Sequence, residues 1–105
     1  MTNTITLQGK EYQAKLDFGT LGRVQVGLRK NYDLKLGFQQ IFTEVQAQNF
    51  AVISELIVQS ILRVHKQLTR ENIEEKLTLD ELENAFTFIA QLIEASLPKT
   101  DNKKK

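Results

Sequence analysis

The sequence predicts a mainly α fold, a small helical bundle of four to five helices preceded by an N-terminal β-hairpin. Three observations predict it. The stretch Asn49–Lys66, NFAVISELIVQSILRVHK, places Phe50, Ile53, Ile57, Ile61 and Val64 at helical spacing, and Val52, Leu56, Val58 and Leu62 widen that surface beyond one stripe. Such a helix needs cover on more than one side. Residues that favour helix starts (Asp17, Asn49, Thr69, Thr78) stand before the apolar runs, as capping chemistry requires. Before the first of them, apolar and polar residues alternate with the period of a strand.

Taken in order, Ile5-Thr6-Leu7 and Tyr12-Gln13-Ala14-Lys15-Leu16 read as two strands, with Gln8-Gly9-Lys10-Glu11 between them as a turn. A lone hairpin is marginal in water, so its apolar face (Leu7, Tyr12, Ala14, Leu16) must lie on the helices or meet another chain's strand. Asp17 and Thr20 are alternative N-caps for a first helix running to about Arg29, with Leu21, Val24 and Leu28 on one face. Gly22 and Gly27 weaken it by about 1 kcal/mol each against alanine. Asn31-Tyr32-Asp33 is a break, and a second helix follows over roughly Lys35–Gln46, with Leu34, Phe38, Ile41, Phe42 and Val45 on one side. Asn49 then caps the central helix. Each of its large side chains contributes about 1.5–3 kcal/mol when fully buried, and its polar remainder, Glu55, Gln59, Arg63 and Lys66, forms a narrow stripe. Thr69 caps a short helix, Arg70–Leu77, with Ile73 and Leu77 inward. Thr78-Leu79-Asp80-Glu81 reads as a capping box opening a last helix, Leu79–Leu97. Leu82, Phe86, Ile89, Ile93 and Leu97 form its stripe, flanked by Leu79, Ala85, Ala90 and Leu92, and Pro98 ends it.

A chain of 105 residues fits one domain. It is predicted over 1–98, with the hairpin at about 4–17, the helices at about 18–97, and 99–105 as a disordered basic tail. Apolar residues make up 41% and charged residues 26%, the balance of a globular rather than a disordered chain. No run approaches the roughly 18 apolar residues of a membrane span, so no membrane is expected as a partner. The start, MTNTITLQGK, lacks the features of a secretory signal. The absence of cysteine removes disulfides and thiolate metal sites and fits a cytoplasmic life. A net charge of +1 gives no argument for nucleic acid. Charge is unevenly spread all the same: residues 1–48 carry six basic and four acidic side chains, whereas residues 67–97 carry two basic and seven acidic ones. A solvated acidic face with a basic tail accounts for this, as does head-to-tail self-association between unlike patches.

Chemistry-bearing constellations are few. His65 is the only histidine and has no cysteine to join it. A zinc site needs three or four ligands, so a histidine at a helix C-terminus, favoured by the dipole, is the reading. Glu74, Glu75, Asp80, Glu81 and Glu83 occupy first-turn and outward positions, where helix-end electrostatics explain them. Ser54, Ser60 and Ser96 lack a nucleophile-elbow pattern. Gly19-Thr20-Leu21-Gly22 matches the backbone clamp of KH domains, but the strand–helix order around it is wrong. No phosphate-binding glycine loop follows a strand. No catalytic residue, metal site or cofactor is expected, and the chain reads as no enzyme.

The whole layout resembles the tail assembly chaperones of long-tailed bacteriophages and prophages of Gram-positive hosts. The stretches that carry the resemblance are ITLQGKEYQAKLDFGTLGRV, NFAVISELIVQSILR and LTRENIEEKLTLDELENAFTFIAQLIEA, covering about residues 4–97. The resemblance implies a mostly helical, non-enzymatic protein that binds the tape measure protein, keeps it soluble and helps recruit tail tube protein. It also implies a host bacterial cytoplasmic location, absence from the mature virion, and for many members a longer form made by a programmed frameshift. Asn102-Lys103-Lys104-Lys105 is codable by an adenine run of the kind such a slip needs. A long helical tape measure would aggregate along its apolar seams, and an adaptable groove repeated along it in several copies would cover them. Phe38, Phe42, Phe50, Phe86 and Phe88 are the candidates for lining that groove, and packing inside the bundle is the alternative for each. A homo-oligomer is expected. Two other readings stay open. One is a phage structural or head–tail connector adaptor, which would persist in purified virions. The other is a small nucleic-acid-binding regulator using Arg23, Arg29, Lys30 and Lys35, whose binding would fall steeply with salt.

Overall fold

The computed structural model describes residues 2–96; Leu97, Pro98 and the basic tail expected over 99–105 lie outside them. Two antiparallel strands, β1 (Thr2–Leu7) and β2 (Lys10–Lys15), precede five helices: α1 (Phe18–Tyr32), α2 (Phe38–Gln46), α3 (Phe50–Leu62), α4 (Arg70–Glu74) and α5 (Leu82–Ser96). A single 3-10 turn, Leu79–Glu81, leads into α5. The mainly helical class with an N-terminal hairpin is the one the sequence predicts.

The hairpin pairs within the chain, Ile5 opposite Tyr12 and Leu7 opposite Lys10. Its turn is only Gln8-Gly9, shorter than the four residues expected, because both adopt positive φ, 51° and 78°. That is the primed turn whose twist matches the strands. Lys10 and Glu11 consequently join β2. Ile5, Leu7, Tyr12 and Ala14 point to one side and are buried, with Leu16 just beyond the strand. One outward-facing backbone group on each strand also finds a partner. Asn84 donates from Nδ2 to the Thr6 carbonyl at 2.8 Å, and the Gln13 N–H donates to His65 Nε2 at 3.0 Å. Each edge of the two-stranded sheet is thereby covered at one point.

Helix α3 is the axis of the molecule, packing against β2, α1, α2, α4 and α5. Val52, Ile53, Leu56, Ile57, Val58 and Ile61 are buried on several sides of it, as its broad apolar surface requires. Asn49 caps it, accepting from the Ala51 N–H at 3.1 Å. The helix ends at Leu62 rather than Lys66, and His65 lies in the turn beyond. Helix α1 starts at the Asp17 cap and ends at Asp33, whose φ of 58° turns the chain away. At the end of α2, Gln48 takes φ 60° and the Asn49 N–H returns to the Glu44 carbonyl, a Schellman closure made without glycine. Thr69 caps α4, accepting from Asn72 N–H, while the Asn72 side chain accepts in return from Thr69 N–H.

Three further sequence expectations are corrected. Thr78 stands at the N-cap of the 3-10 turn rather than of α5, and its hydroxyl makes no capping bond but contacts Asp80. The buried stripe of α5 is Ala85, Phe88, Ile89 and Leu92, while Leu82 stays 37% exposed. The helix is apolar enough to offer two overlapping stripes, and the one containing small Ala85 lets α5 lie close to α3. Most consequential, Glu55 in the polar stripe of α3 is fully buried.

Candidate functional site

Glu55, Gln59 and Arg63 of the polar stripe are engaged with one another or with residues at α1 and α4, while Lys66 is exposed. Glu55 is gripped by Arg70 from α4 at 2.9 Å and 2.5 Å and accepts from Gln59 at 2.8 Å. Arg70 also reaches Glu74 at 2.8 Å, and its hydrogen bonds to Glu55 strengthen its hold on its proton. Gly27 of α1 packs directly on this carboxylate: a Cβ there would lie 2.6 Å from Glu55 Cδ. One turn along α3's end, Arg63 donates to Asp17 at 3.0 and 3.2 Å. The same carboxylate caps α1 by accepting from Thr20 N–H at 2.8 Å. These contacts, Arg63 foremost and then the Thr20 N–H, hold the Asp17 carboxyl well below the usual carboxylate range. These side chains pair with one another and so tie α1, α3 and α4 together.

Other chemistry-bearing residues are similarly placed. His65 accepts from the β2 backbone and meets Tyr12 edge-on at 5.9 Å between ring centres. The Ser60 hydroxyl is buried without a partner, and Ser54 lies at a groove described below. Among the described residues no three His, Asp or Glu side chains converge as metal ligands. No helix is long and apolar enough to cross a membrane among them. Arg23 and Lys30 line a shallow trough on α1 together with Arg63 and Arg70. Arg29 and Lys35 line a second trough across the exposed Val26. The face of α1 is therefore basic.

Phe18 and Val26 are exposed on α1, and four other exposed apolar side chains lie together elsewhere. Tyr32, Phe50, Leu79 and Leu82 are exposed by 38%, 54%, 83% and 37%. All four line one groove of about 320 Å³ between the start of α3, the end of α1 and the 3-10 turn, floored by Ile53 and Ile57. A second groove of about 440 Å³ shares Phe50, Ile53, Leu79 and Leu82 and continues along α5 to Phe86. The wall is held from behind. Gln8 donates its N–H to Glu81 and its side-chain amide to Thr78, each at 2.8 Å. Asn84 bridges Glu81 and β1. The hairpin turn thus fixes the 3-10 turn that presents Leu79. Asp80, Glu81 and Glu83 rim the paired grooves, and the Thr78 hydroxyl at Asp80 keeps that carboxyl below its usual range and so ionised.

The five phenylalanines singled out from the sequence are not gathered in one place. Phe50 forms the wall shared by both grooves and half-buried Phe86 lines the second. Phe38 stacks on Phe18 at 6.4 Å on another surface. Phe42 packs partly buried against the core, and Phe88 is inside it, 7% exposed. Sequence reasoning missed Tyr32, Leu79 and Leu82 as groove residues. An apolar residue in a 3-10 turn carries no periodic signal, and Leu82 fits the inward stripe as well as the groove. A family model described as phage tail assembly chaperone protein, TAC, matches residues 4–101. No curated protein matches the chain, and no solved structure does.

Proposed function

The chain belongs to the phage tail assembly chaperone family, and from that premise we propose that it holds the tape measure protein soluble by seating amphipathic helical segments of it in the paired grooves. The observation that supports this reading is the convergence of four exposed large apolar side chains, Tyr32, Phe50, Leu79 and Leu82, on one concave surface. Scattered apolar residues need no explanation, whereas a contiguous rimmed patch marks an interaction site. A concave apolar strip between helices suits the apolar face of a helix, as in helix-in-groove recognition. Several copies along one tape measure chain add avidity without any new contact. The protein acts without catalysis, as a homo-oligomer in the host bacterial cytoplasm, helps recruit tail tube protein, and is left out of the finished virion.

Co-expression tests this. The tape measure protein is expressed alone, with the chain, and with the Phe50→Asp/Leu82→Asp variant. The expected outcome is soluble tape measure only with the unaltered chain. Both substituted side chains are already exposed, so the variant is expected to keep its circular dichroism and melting temperature. Equal solubilisation by the folded variant would sink the groove reading. Mass spectrometry of purified virions checks the last point: abundant chain in them would favour a structural adaptor.

A further inference from the structure

We propose that the helical segment the groove receives carries lysine or arginine beside its apolar stripe, so that sign of charge selects the segment. The proposal rests on the groove reading above and adds the chemistry of its occupant. Asp80, Glu81 and Glu83 stand on the rim, and no lysine, arginine or histidine lines either groove. Among the described residues none of the three carboxylates is within ion-pair distance of a cation. Glu81 is already engaged by Gln8 and Asn84, both neutral, so its charge remains uncompensated. A helix lying in the groove therefore meets apolar side chains at its centre and negative potential along the edge formed by residues 80–83. That suits an apolar stripe flanked by cations and repels one flanked by carboxylates. The α1 face has the opposite sign, with Arg23 and Lys30 on one trough and Arg29 and Lys35 on the other. A basic-flanked helix is thus steered to the groove and away from α1.

The test uses the full chain and two synthetic helical peptides with one shared leucine and phenylalanine stripe, flanked by lysine in one and by glutamate in the other. Binding is read by fluorescence anisotropy. The lysine peptide is expected to bind about tenfold tighter at low salt, the combined effect of three rim pairs of ordinary surface strength. The gap should shrink in about 0.5 M salt, where screening acts within a few ångström. Asp80→Lys/Glu83→Lys should reverse the preference. Glu83→Lys alone, at an exposed position, should narrow it even if altering Asp80 disturbs the turn. Equal affinity for both peptides would overturn the charge selection while leaving the groove reading standing. Binding of neither would remove the groove reading itself. Concentration-dependent self-association lost on charge reversal, without peptide binding, would assign the groove to a second copy and overturn both.

Discussion

Gly27 sits where α1 crosses the buried Glu55 carboxylate, and its missing side chain is what allows the crossing. The carboxylate cannot retreat, since Arg70 and Gln59 hold its two oxygens. Overpacking of this kind costs about 1–3 kcal/mol, more than the ~1 kcal/mol that alanine returns in helix propensity. Gly22 lies on the same helix with nothing within 4 Å of its would-be Cβ. Urea denaturation should therefore move in opposite directions for the two variants: Gly22→Ala to a higher midpoint, Gly27→Ala to a lower one. The sequence shows both glycines as equal weaknesses of one helix. Only the position of Glu55 distinguishes them, and its burial is not legible locally, because its compensating cation lies in another helix. Removing that cation with Arg70→Met should cost about 3 kcal/mol, as a buried charge is left without its partner; the same denaturation measurement reads it.

At the scale of elements, what depends on near neighbours was legible and what depends on distant ones was not. Asn49, Thr69 and Asp17 cap their helices as their chemistry and position predict, since a cap is a contact over two or three residues. Thr78 fails because the hairpin turn, some seventy residues earlier, competes for the same segment through Gln8. The same competition displaces Leu79 outward and builds the groove wall, so this miss and the missed site have one cause. Asp17 joins elements as well as starting one, tying the entry of α1 to the end of α3 through Arg63. Its carboxyl is depressed in the folded chain, so the unfolded chain binds that proton more readily. The stability it confers is complete above about pH 4 and is lost as the pH falls below that value. Asp17→Asn should lower the urea midpoint at neutral pH and leave a shallower decline between about pH 4 and pH 2.

For the whole molecule, α3 is the element that packs against the hairpin strand β2 and all four other helices. Stability is consequently held in common. The hairpin supplies Ile5, Leu7, Tyr12 and Ala14 to the shared core, each no more than 3% exposed. A chain beginning at Leu16 would leave one side of α3 open to water. It should lose its sharp thermal transition, keep much of its helical circular dichroism, and bind a hydrophobic dye, the signs of a core without fixed packing. A truncated chain that melted as sharply as the full one would show the hairpin to be an ornament.

The docking of an N-terminal hairpin on a mid-chain helix also has a consequence in time. β2 ends at Lys15 and α3 at Leu62, so the ribosome adds roughly fifty residues between completing the one and completing its cover. At about 5–20 residues per second, that interval lasts several seconds. Throughout it, the strands' apolar face lacks the helix that β2 packs against. The first greasy surface that this chaperone has to survive is its own.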